Sequence, residues 1–172
     1  MAIKVVVVAL EKVHKTKEFD CGTPELNRWL QSVASQHQKN GISRTFVLLE
    51  NGQNDKIAGF FAMAMRGLIP TEELPEEIRN KLPQKVPGFT LARLAVSKEH
   101  QGKGLGAYLM MEAMERAQRA AESVGGYALF VDAKDGAASF YEKFGFRPLP
   151  SDLNTLVLPM QSMPKFPART SD

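Results

Sequence analysis

LARLAVSKEHQGKGLGAYL, the stretch Leu91–Leu109, joins an apolar segment typical of a β-strand to a glycine-rich turn and then to an amphipathic helical pattern. Gly102, Gly104 and Gly106 remove side chains where backbone N–H groups would have to face an anion. The first turn of the helix would add unpaired N–H donors and the positive end of its dipole. The stretch therefore predicts a strand–loop–helix unit able to bind a pyrophosphate.

The glycines could instead serve only a tight connection between strand and helix. Three glycines in five residues, with a lysine among them, exceed what such a turn requires. The spacing differs from both common nucleotide loops, because neither GxxxxGK[ST] nor GxGxxG followed by a distant acidic residue is present.

A second informative segment lies downstream. Ala128–Ala133 (ALFVDA) is typical of a buried strand, and Ala137–Phe146 (AASFYEKFGF) of a short helix that ends at Gly145 before another strand. The helix carries two neighbouring aromatic residues, Phe140 and Tyr141.

The two segments together resemble the GNAT acetyltransferases. Gln101–Gly106 (QGKGLG) matches their [QR]xxGx[GA] loop, and Phe140–Phe146 (FYEKFGF) matches their FYxxxGF hinge. The resemblance implies an α+β (α/β) acyl-CoA N-acyltransferase fold, with a central mixed, mostly antiparallel sheet that is flanked by helices and splayed at the central strand. It also implies acetyl-CoA as the cofactor.

The resemblance assigns roles around that cofactor. The backbone of the central strand would hold the pantetheine arm, and a backbone N–H near Leu94 would be the oxyanion donor. The loop would hold the pyrophosphate, with Lys103 either meeting a phosphate or facing solvent. The implied cofactor-binding residues are Leu94, Ala95, Val96, Gln101, Gly102, Lys103, Gly104, Leu105, Gly106 and Phe140.

Tyr141 is the candidate general acid, because a phenol of pKa about 10 can donate to a thiolate whose own pKa is about 8.5. The alternative role for Tyr141 is packing on the helix.

No side chain stands out as a general base, although Glu99 and His100 precede the loop and remain open candidates. A substantial fraction of an α-amine of pKa about 7.7 is neutral at cytoplasmic pH, whereas a lysine of pKa about 10.4 is about a thousandfold less so, which mildly favours an α-amino acceptor.

A narrower resemblance covers most of the chain. Four segments in the same order are similar to the GNAT toxins of bacterial toxin–antitoxin modules: Phe19–Leu30 (FDCGTPELNRWL), Gln36–Glu50 (QHQKNGISRTFVLLE), Ala92–Val96 (ARLAV) and Val131–Phe146 (VDAKDGAASFYEKFGF). This resemblance implies acetylation of the α-amine of aminoacyl-tRNA and a block of translation. It also implies a ribbon-helix-helix antitoxin that carries the DNA binding, and a possible homodimer.

Such a substrate would need basic residues around the acceptor site. Arg93 is the most specific candidate because it interrupts an apolar strand, although an outward-facing strand position would explain it equally simply. Lys39, Arg44 and Arg66 are further candidates, each of which could be an ordinary solvated charge. Cys21 and Trp29 are better explained as buried residues than as a nucleophile and a stacking platform.

Composition narrows the class of protein. The 172 residues, 44% of them hydrophobic, predict one domain over residues 1–160 and a mobile tail over residues 161–172. A single cysteine excludes an internal disulfide, and with three scattered histidines no metal site is expected.

The net charge of +3 suits an anionic partner such as coenzyme A or RNA. The longest apolar run, Val5–Leu10, is too short for a membrane span and no signal-peptide pattern is present, so a cytoplasmic location is expected.

The pattern also predicts the order of elements. A capped helix should begin at Thr23 and end near Asn40, before Gly41. The proline-containing insertion from Gly67 to Gly88 predicts a lid or edge helix over Glu72–Leu82, or else a plain connector. The remaining predicted elements are strands at Ile3–Leu10, Thr45–Glu50, Lys56–Met65, Phe89–Val96, Tyr127–Ala133 and Asn154–Pro159, and helices at Gly104–Val124 and Ala137–Phe144.

Two other functions fit the sequence. An acetyltransferase of protein amino termini or small amines would need the same cofactor site. A non-catalytic module that binds acetyl-CoA would need the loop but not Tyr141. The presence of both features favours an enzyme.

Overall fold

The computed structural model describes residues 4–51, 55–134 and 136–167. Within these ranges the strands are β1 (Val5–Ala9), β2 (Arg44–Glu50), β3 (Ile57–Pro70), β4 (Lys85–Val96), β5 (Ala128–Asp132), β6 (Arg147–Leu149) and β7 (Asp152–Pro159). The α-helices are α1 (Pro24–Ser32), α2 (Ala34–Lys39), α3 (Leu105–Val124) and α4 (Ala138–Glu142). None of the helices in the described ranges is long and apolar enough to cross a bilayer.

The seven strands form one sheet in the order β1-β2-β3-β4-β5-β7-β6. The pairs β1–β2, β2–β3, β5–β7 and β6–β7 are antiparallel. The prediction of a mixed, mostly antiparallel sheet flanked by helices is confirmed. Residue 3 of the predicted first strand lies outside the described residues.

The chain forms two compact units. Unit 1 comprises residues 1–65 and 90–113, and its core gathers side chains from α1, β2 and β3. Trp29 stacks in parallel on Phe60 with ring centroids 6.0 Å apart, and both rings are buried. These contacts position α1 against the strands of this unit.

The single helix predicted from Thr23 to Asn40 is instead two helices, α1 and α2. Val33 separates them with φ −120°, and its β-branched side chain packs against the core of unit 1. A β-branched residue is restricted in a helix, which favours the break at this position. Pro24 occupies the first turn of α1, and Gly41 follows α2 with φ +73°, as the sequence predicts.

Unit 2 comprises residues 66–89 and 114–172. The prediction of a helix over Glu72–Leu82 is wrong. Strand β3 extends to Pro70 and β4 begins at Lys85, with two short 3₁₀ turns at Thr71–Glu73 and Glu76–Ile78 between them. Prolines precede both turns, and the buried Leu74 belongs to the core of this unit. The segment is therefore an irregular connection that packs into the core, with Tyr127 donating its hydroxyl to the Ile78 carbonyl at 3.0 Å.

The described part of the predicted tail contacts α3. The Gln118 side chain donates to the Pro164 carbonyl at 3.0 Å and accepts from the Phe166 amide at 3.3 Å. Residues 168–172 lie outside the described residues. The boundary at residue 160, and the mobility of the segment beyond it, stay predictions.

Candidate active site

The predicted strand–loop–helix is present, and the end of its strand, its loop and the first nine residues of its helix lie in unit 1. Strand β4 ends at Val96, a 3₁₀ turn covers Lys98–His100, and the loop leads into the 20-residue helix α3. Gly102 and Gly104 have φ values of +77° and +78°, and a Cβ on either would meet no heavy atom within 4 Å. These glycines are therefore required by backbone conformation rather than by lack of space. The exposed loop and the first turn of α3 offer backbone N–H groups to an anion.

Gln101 is the first residue of the loop, and its side chain is hydrogen-bonded to the protein backbone. Its amide nitrogen donates to the carbonyls of Cys21 and Val96, at 3.0 Å in each case. Its backbone N–H donates to the Lys98 carbonyl at 3.5 Å. Lys103 is exposed, and Gly106 lies in the first turn of α3, next to the buried Leu105.

The residues predicted to hold the pantetheine arm lie at the end of β4. Ala95 is buried, while Leu94 and Val96 are half-buried. On the neighbouring strand, a Cβ at Gly59 would lie only 2.9 Å from the Ala95 carbonyl oxygen. Only a glycine permits this approach of β3, which fixes the end of β4 within unit 1.

The two open candidates for a general base both have partners within the protein. Glu99 forms an ion pair with Lys56 at 2.9 Å, and this hydrogen bond holds the pKa of Glu99 below its ordinary value. His100 is buried, with Nδ1 2.6 Å from the Ser97 hydroxyl and Nε2 3.5 Å from a Glu50 carboxylate oxygen. Both side chains are therefore committed to neighbours on the protein.

Tyr141 lies on α4 in unit 2. Its ring makes edge contacts with Phe140 and Phe146, with centroids 5.1 and 5.9 Å away, and the residue is 9% exposed. Burial raises the pKa of Tyr141 to about 12, so the phenol stays protonated at neutral pH. Within the described residues its hydroxyl has no protein hydrogen-bond partner, unlike that of Tyr127. The hydroxyl is free to donate to a ligand.

The basic candidates fall into both units. In unit 1, the Arg93 guanidinium lies 5.3 Å above the Trp29 ring and donates to the Ala92 carbonyl at 2.7 Å. Lys39 ends α2 and Arg44 begins β2, and both are exposed. Trp29 is a core residue, as the sequence predicts, but its ring also supports Arg93.

Arg66, in unit 2, has a partner that sequence reasoning missed. Its guanidinium forms two hydrogen bonds with the Asp132 carboxylate, at 3.0 and 3.4 Å, and lies 5.1 Å above the Phe130 ring. The Thr155 hydroxyl lies 3.0 Å from an Asp132 carboxylate oxygen and 2.7 Å from one of Asp152, and its single proton can serve one of them at a time. An acidic residue at the end of the otherwise buried β5 was the available signal. Arg66 is thus an oriented cation rather than an ordinary solvated charge.

Cys21 is buried, with Sγ 3.6 Å from the Thr23 carbonyl, which fits its predicted structural role. In the ranges that the structure describes, no three histidine, cysteine or acidic side chains gather as a metal site would require.

A family model for the acetyltransferase (GNAT) domain matches residues 41–148. With this domain model and the site geometry in agreement, the chain belongs to the GNAT acetyltransferase family. It is similar to the tRNA-acetylating toxin of Mycobacterium tuberculosis, with 37% identity over 144 residues that cover 83% of this chain and 84% of the relative. Both resemblances seen in the sequence are confirmed.

Two solved structures extend the comparison. The AtaT toxin complexed with acetyl-methionyl-tRNAfMet matches with a TM-score of 0.85 and 30% identity, covering 92% of this chain and 96% of that one. A Tyr-to-Phe variant of AtaT, bound to the C-terminus of the antitoxin AtaR and to acetyl-CoA, matches with a TM-score of 0.77 and 28% identity. That match covers 92% of this chain and 94% of the other.

Proposed function

We propose that this chain is an acetyl-CoA-dependent N-acetyltransferase toxin that acetylates the α-amine of aminoacyl-tRNA and thereby blocks translation. The observation that carries the proposal is the 37% identity to a tRNA-acetylating toxin, over 83% of this chain. The match to AtaT with an acetylated aminoacyl-tRNA supports the same substrate class.

The residues of unit 1 fit acetyl-CoA. Open space around Gly102 and Gly104 lets a pyrophosphate approach the loop, and the adjoining N-terminus of α3 favours a negative charge. The backbone of Leu94, Ala95 and Val96 would hold the pantetheine arm. Phe140, in unit 2, would supply an apolar contact.

When bound, acetyl-CoA supplies the acetyl thioester that the acceptor amine attacks directly. The Leu94 backbone N–H would donate to the thioester oxygen, where negative charge develops. Tyr141 would donate its proton to the departing sulfur as negative charge develops there. Burial makes its phenol a weaker acid than a free tyrosine, so the transfer depends on that developing charge. No base is needed to deprotonate an α-amine, a substantial fraction of which is already neutral. The proton that the nitrogen loses on forming the amide would pass to water, from which Tyr141 regains its own.

The acceptor would be held largely through its phosphates. Arg93, Lys39, Arg44 and Arg66 are the proposed contacts, because cations oriented toward phosphate supply most nucleic-acid affinity. Trp29 orients Arg93 and Asp132 orients Arg66, which reduces the entropy lost when either one binds.

The proposed partner is a small ribbon-helix-helix antitoxin that neutralises the toxin and carries any DNA binding. AtaT bound to the C-terminus of AtaR supports an antitoxin of some kind. The proposed location is the cytoplasm, where translation takes place, and the proposed assembly is a homodimer.

The test is transfer of labelled acetyl from acetyl-CoA to bulk aminoacylated tRNA, beside the same tRNA deacylated, a panel of peptides and polyamines. We expect label on charged tRNA alone, released with the amino acid by base hydrolysis. Label on peptides or amines alone would instead establish an acetyltransferase of amino termini or small amines. Binding of acetyl-CoA without transfer to any acceptor would favour a non-catalytic module.

A further inference from the structure

The glycine loop is tied to a segment about 80 residues earlier in the chain. Gln101 donates to the Cys21 carbonyl at 3.0 Å, and the Lys98 amide donates to the Asp20 carbonyl at 2.9 Å. Gln101 also donates to the Val96 carbonyl at 3.0 Å, at the end of β4. One side chain therefore joins the strand end, the loop and the segment before α1, all within unit 1.

That earlier segment is held in turn by α1. Asn27 accepts a hydrogen bond from the Cys21 amide at 2.8 Å and donates to the Asp20 carboxylate at 3.0 Å. The same carboxylate oxygen accepts from the Gly22 amide at 2.9 Å. These bonds from Gly22 and Asn27 hold the pKa of Asp20 below its ordinary value, so the carboxylate remains a charged acceptor near neutral pH.

The loop itself has few restraints between its ends. At its far end, the Gly104 carbonyl accepts from the Tyr108 amide at 3.2 Å, in the first turn of α3. Gly102 and Gly104 carry no side chain that could pack, and glycine has the most permissive backbone of any residue type. The Gln101 anchor therefore sets where the intervening N–H groups point.

We propose that Gln101 and Asn27 are positioning residues, which fix the backbone of the glycine loop so that its N–H groups meet the pyrophosphate of acetyl-CoA. The inference rests on the proposed function, because it assumes acetyl-CoA at this loop. It assigns a task to the segment Phe19–Asn27, whose side chains otherwise lack a role in the reaction. Losing either residue leaves the loop more states to order when acetyl-CoA binds.

The test uses Gln101→Met, which keeps side-chain length but removes both donated hydrogen bonds, and Asn27→Ala. Each should weaken acetyl-CoA binding about tenfold, a typical effect of lost hydrogen bonds. Titration calorimetry measures the Kd. The double variant should lose clearly less than the product of the single losses, because both residues act on one element. The kcat at saturating acetyl-CoA and the KM for aminoacyl-tRNA should change by less than about twofold.

Gln38→Met is the matched control. Gln38 also bridges two backbone groups of unit 1, donating to the Leu10 carbonyl and accepting from the Thr45 amide, both at 2.9 Å. It should leave the Kd for acetyl-CoA unchanged. Gln101→Arg should restore most of the affinity, because a guanidinium can donate to the same two carbonyls. This variant keeps the test informative even where Asn27→Ala does not fold.

An unchanged Kd in folded Gln101→Met would overturn the positioning role, as would an equal loss in Gln38→Met. Wild-type protein that fails to bind acetyl-CoA would overturn the proposed function itself. The two failures are thus distinguishable in a single titration series.

Discussion

The Arg66 guanidinium and the Asp132 carboxylate face each other through two hydrogen bonds, 3.0 and 3.4 Å long, although 66 residues separate them in the chain. The pair links the last residues of β3 to the end of β5 within unit 2. Phe130 lies beneath the guanidinium, which keeps its plane fixed. Burial tends to raise the pKa of Asp132, but the hydrogen bonds and charge of Arg66 outweigh it and hold that pKa below its ordinary value.

Asp132→Asn should make stability less dependent on pH. Because the folded-state pKa of Asp132 is lowered, its contribution is present above the unfolded value of about 3.9 and is lost as the pH falls through the folded value. The side chain is 59% exposed, so the loss at pH 7 should be at most about 1 kcal/mol. Denaturant unfolding from pH 7 to pH 3 checks this. Glu77→Gln, in a longer and more exposed pair with Arg147, should have no measurable effect, and a pH-independent Asp132→Asn deficit would contradict the account.

Tyr141→Phe should lower kcat by roughly two orders of magnitude or more and leave acetyl-CoA affinity nearly unchanged, because only the proton donor is removed. The ring contacts with Phe140 and Phe146 remain available to phenylalanine. Tyr127→Phe is the control, because the Tyr127 hydroxyl donates a hydrogen bond to the Ile78 carbonyl. That change should cost about 1 kcal/mol of stability and leave kcat within about twofold. Wild-type turnover in Tyr141→Phe would remove the residue from the mechanism.

Gly104→Ala should weaken acetyl-CoA binding about tenfold, because alanine disfavours the φ of +78° by about 1 kcal/mol or more and the loop shifts to relieve the strain. Gly41→Ala places the same strain at φ +73° after α2, also in open space. It should lower the unfolding free energy by a similar amount without changing the Kd. Calorimetric titration and denaturant unfolding of both variants separate the two effects. Equal losses of affinity in the two would show that the loop conformation has no special part in binding.

Replacing Lys39 and Arg44 together by glutamine should raise the KM for aminoacyl-tRNA and flatten its dependence on salt. Each lost phosphate contact should reduce the slope of log affinity against log salt by about 0.7 to 0.9. Initial rates over a salt series provide the measurement. Lys12 and Lys17, exposed in the same unit but assigned no contact, provide the charge-matched double replacement. Identical salt slopes for the two double variants would show only a general effect of charge and would contradict specific phosphate contacts by Lys39 and Arg44.

The segment from Phe89 to Val124 was predictable from the sequence, because an apolar strand, turn glycines and a helical period follow one another without ambiguity. The structure starts β4 four residues earlier and α3 one residue later. The break at Val33 was not predictable, because the apolar period continues through it and only packing decides the backbone angle. The segment after Gly67 was predicted as a lid or edge helix or else a plain connector, and its pattern did not indicate that Leu74 would be buried in the core.

The candidate site divides in the same way. Its loop, strand and tyrosine are local patterns, so a single sequence displays them. Arg66 pairs with Asp132, and Gln101 with the Cys21 carbonyl. Both contacts depend on the order of the strands and on which loops meet, so the spacing of nearby residues in the sequence does not predict them. For the same reason, Arg93 could be singled out on its strand while Trp29 beneath it could not.

The proposed acetylation of aminoacyl-tRNA is tested most directly by locating the transferred acetyl group. Charged tRNA is incubated with the protein and acetyl-CoA, digested with ribonuclease to release the terminal aminoacyl-adenosine, and analysed by tandem mass spectrometry. We expect one acetyl group on the α-amine of the amino acid, and none when the protein is left out. An acetyl group on the ribose or a base, or unmodified aminoacyl-adenosine after complete reaction with a peptide acceptor, would contradict it.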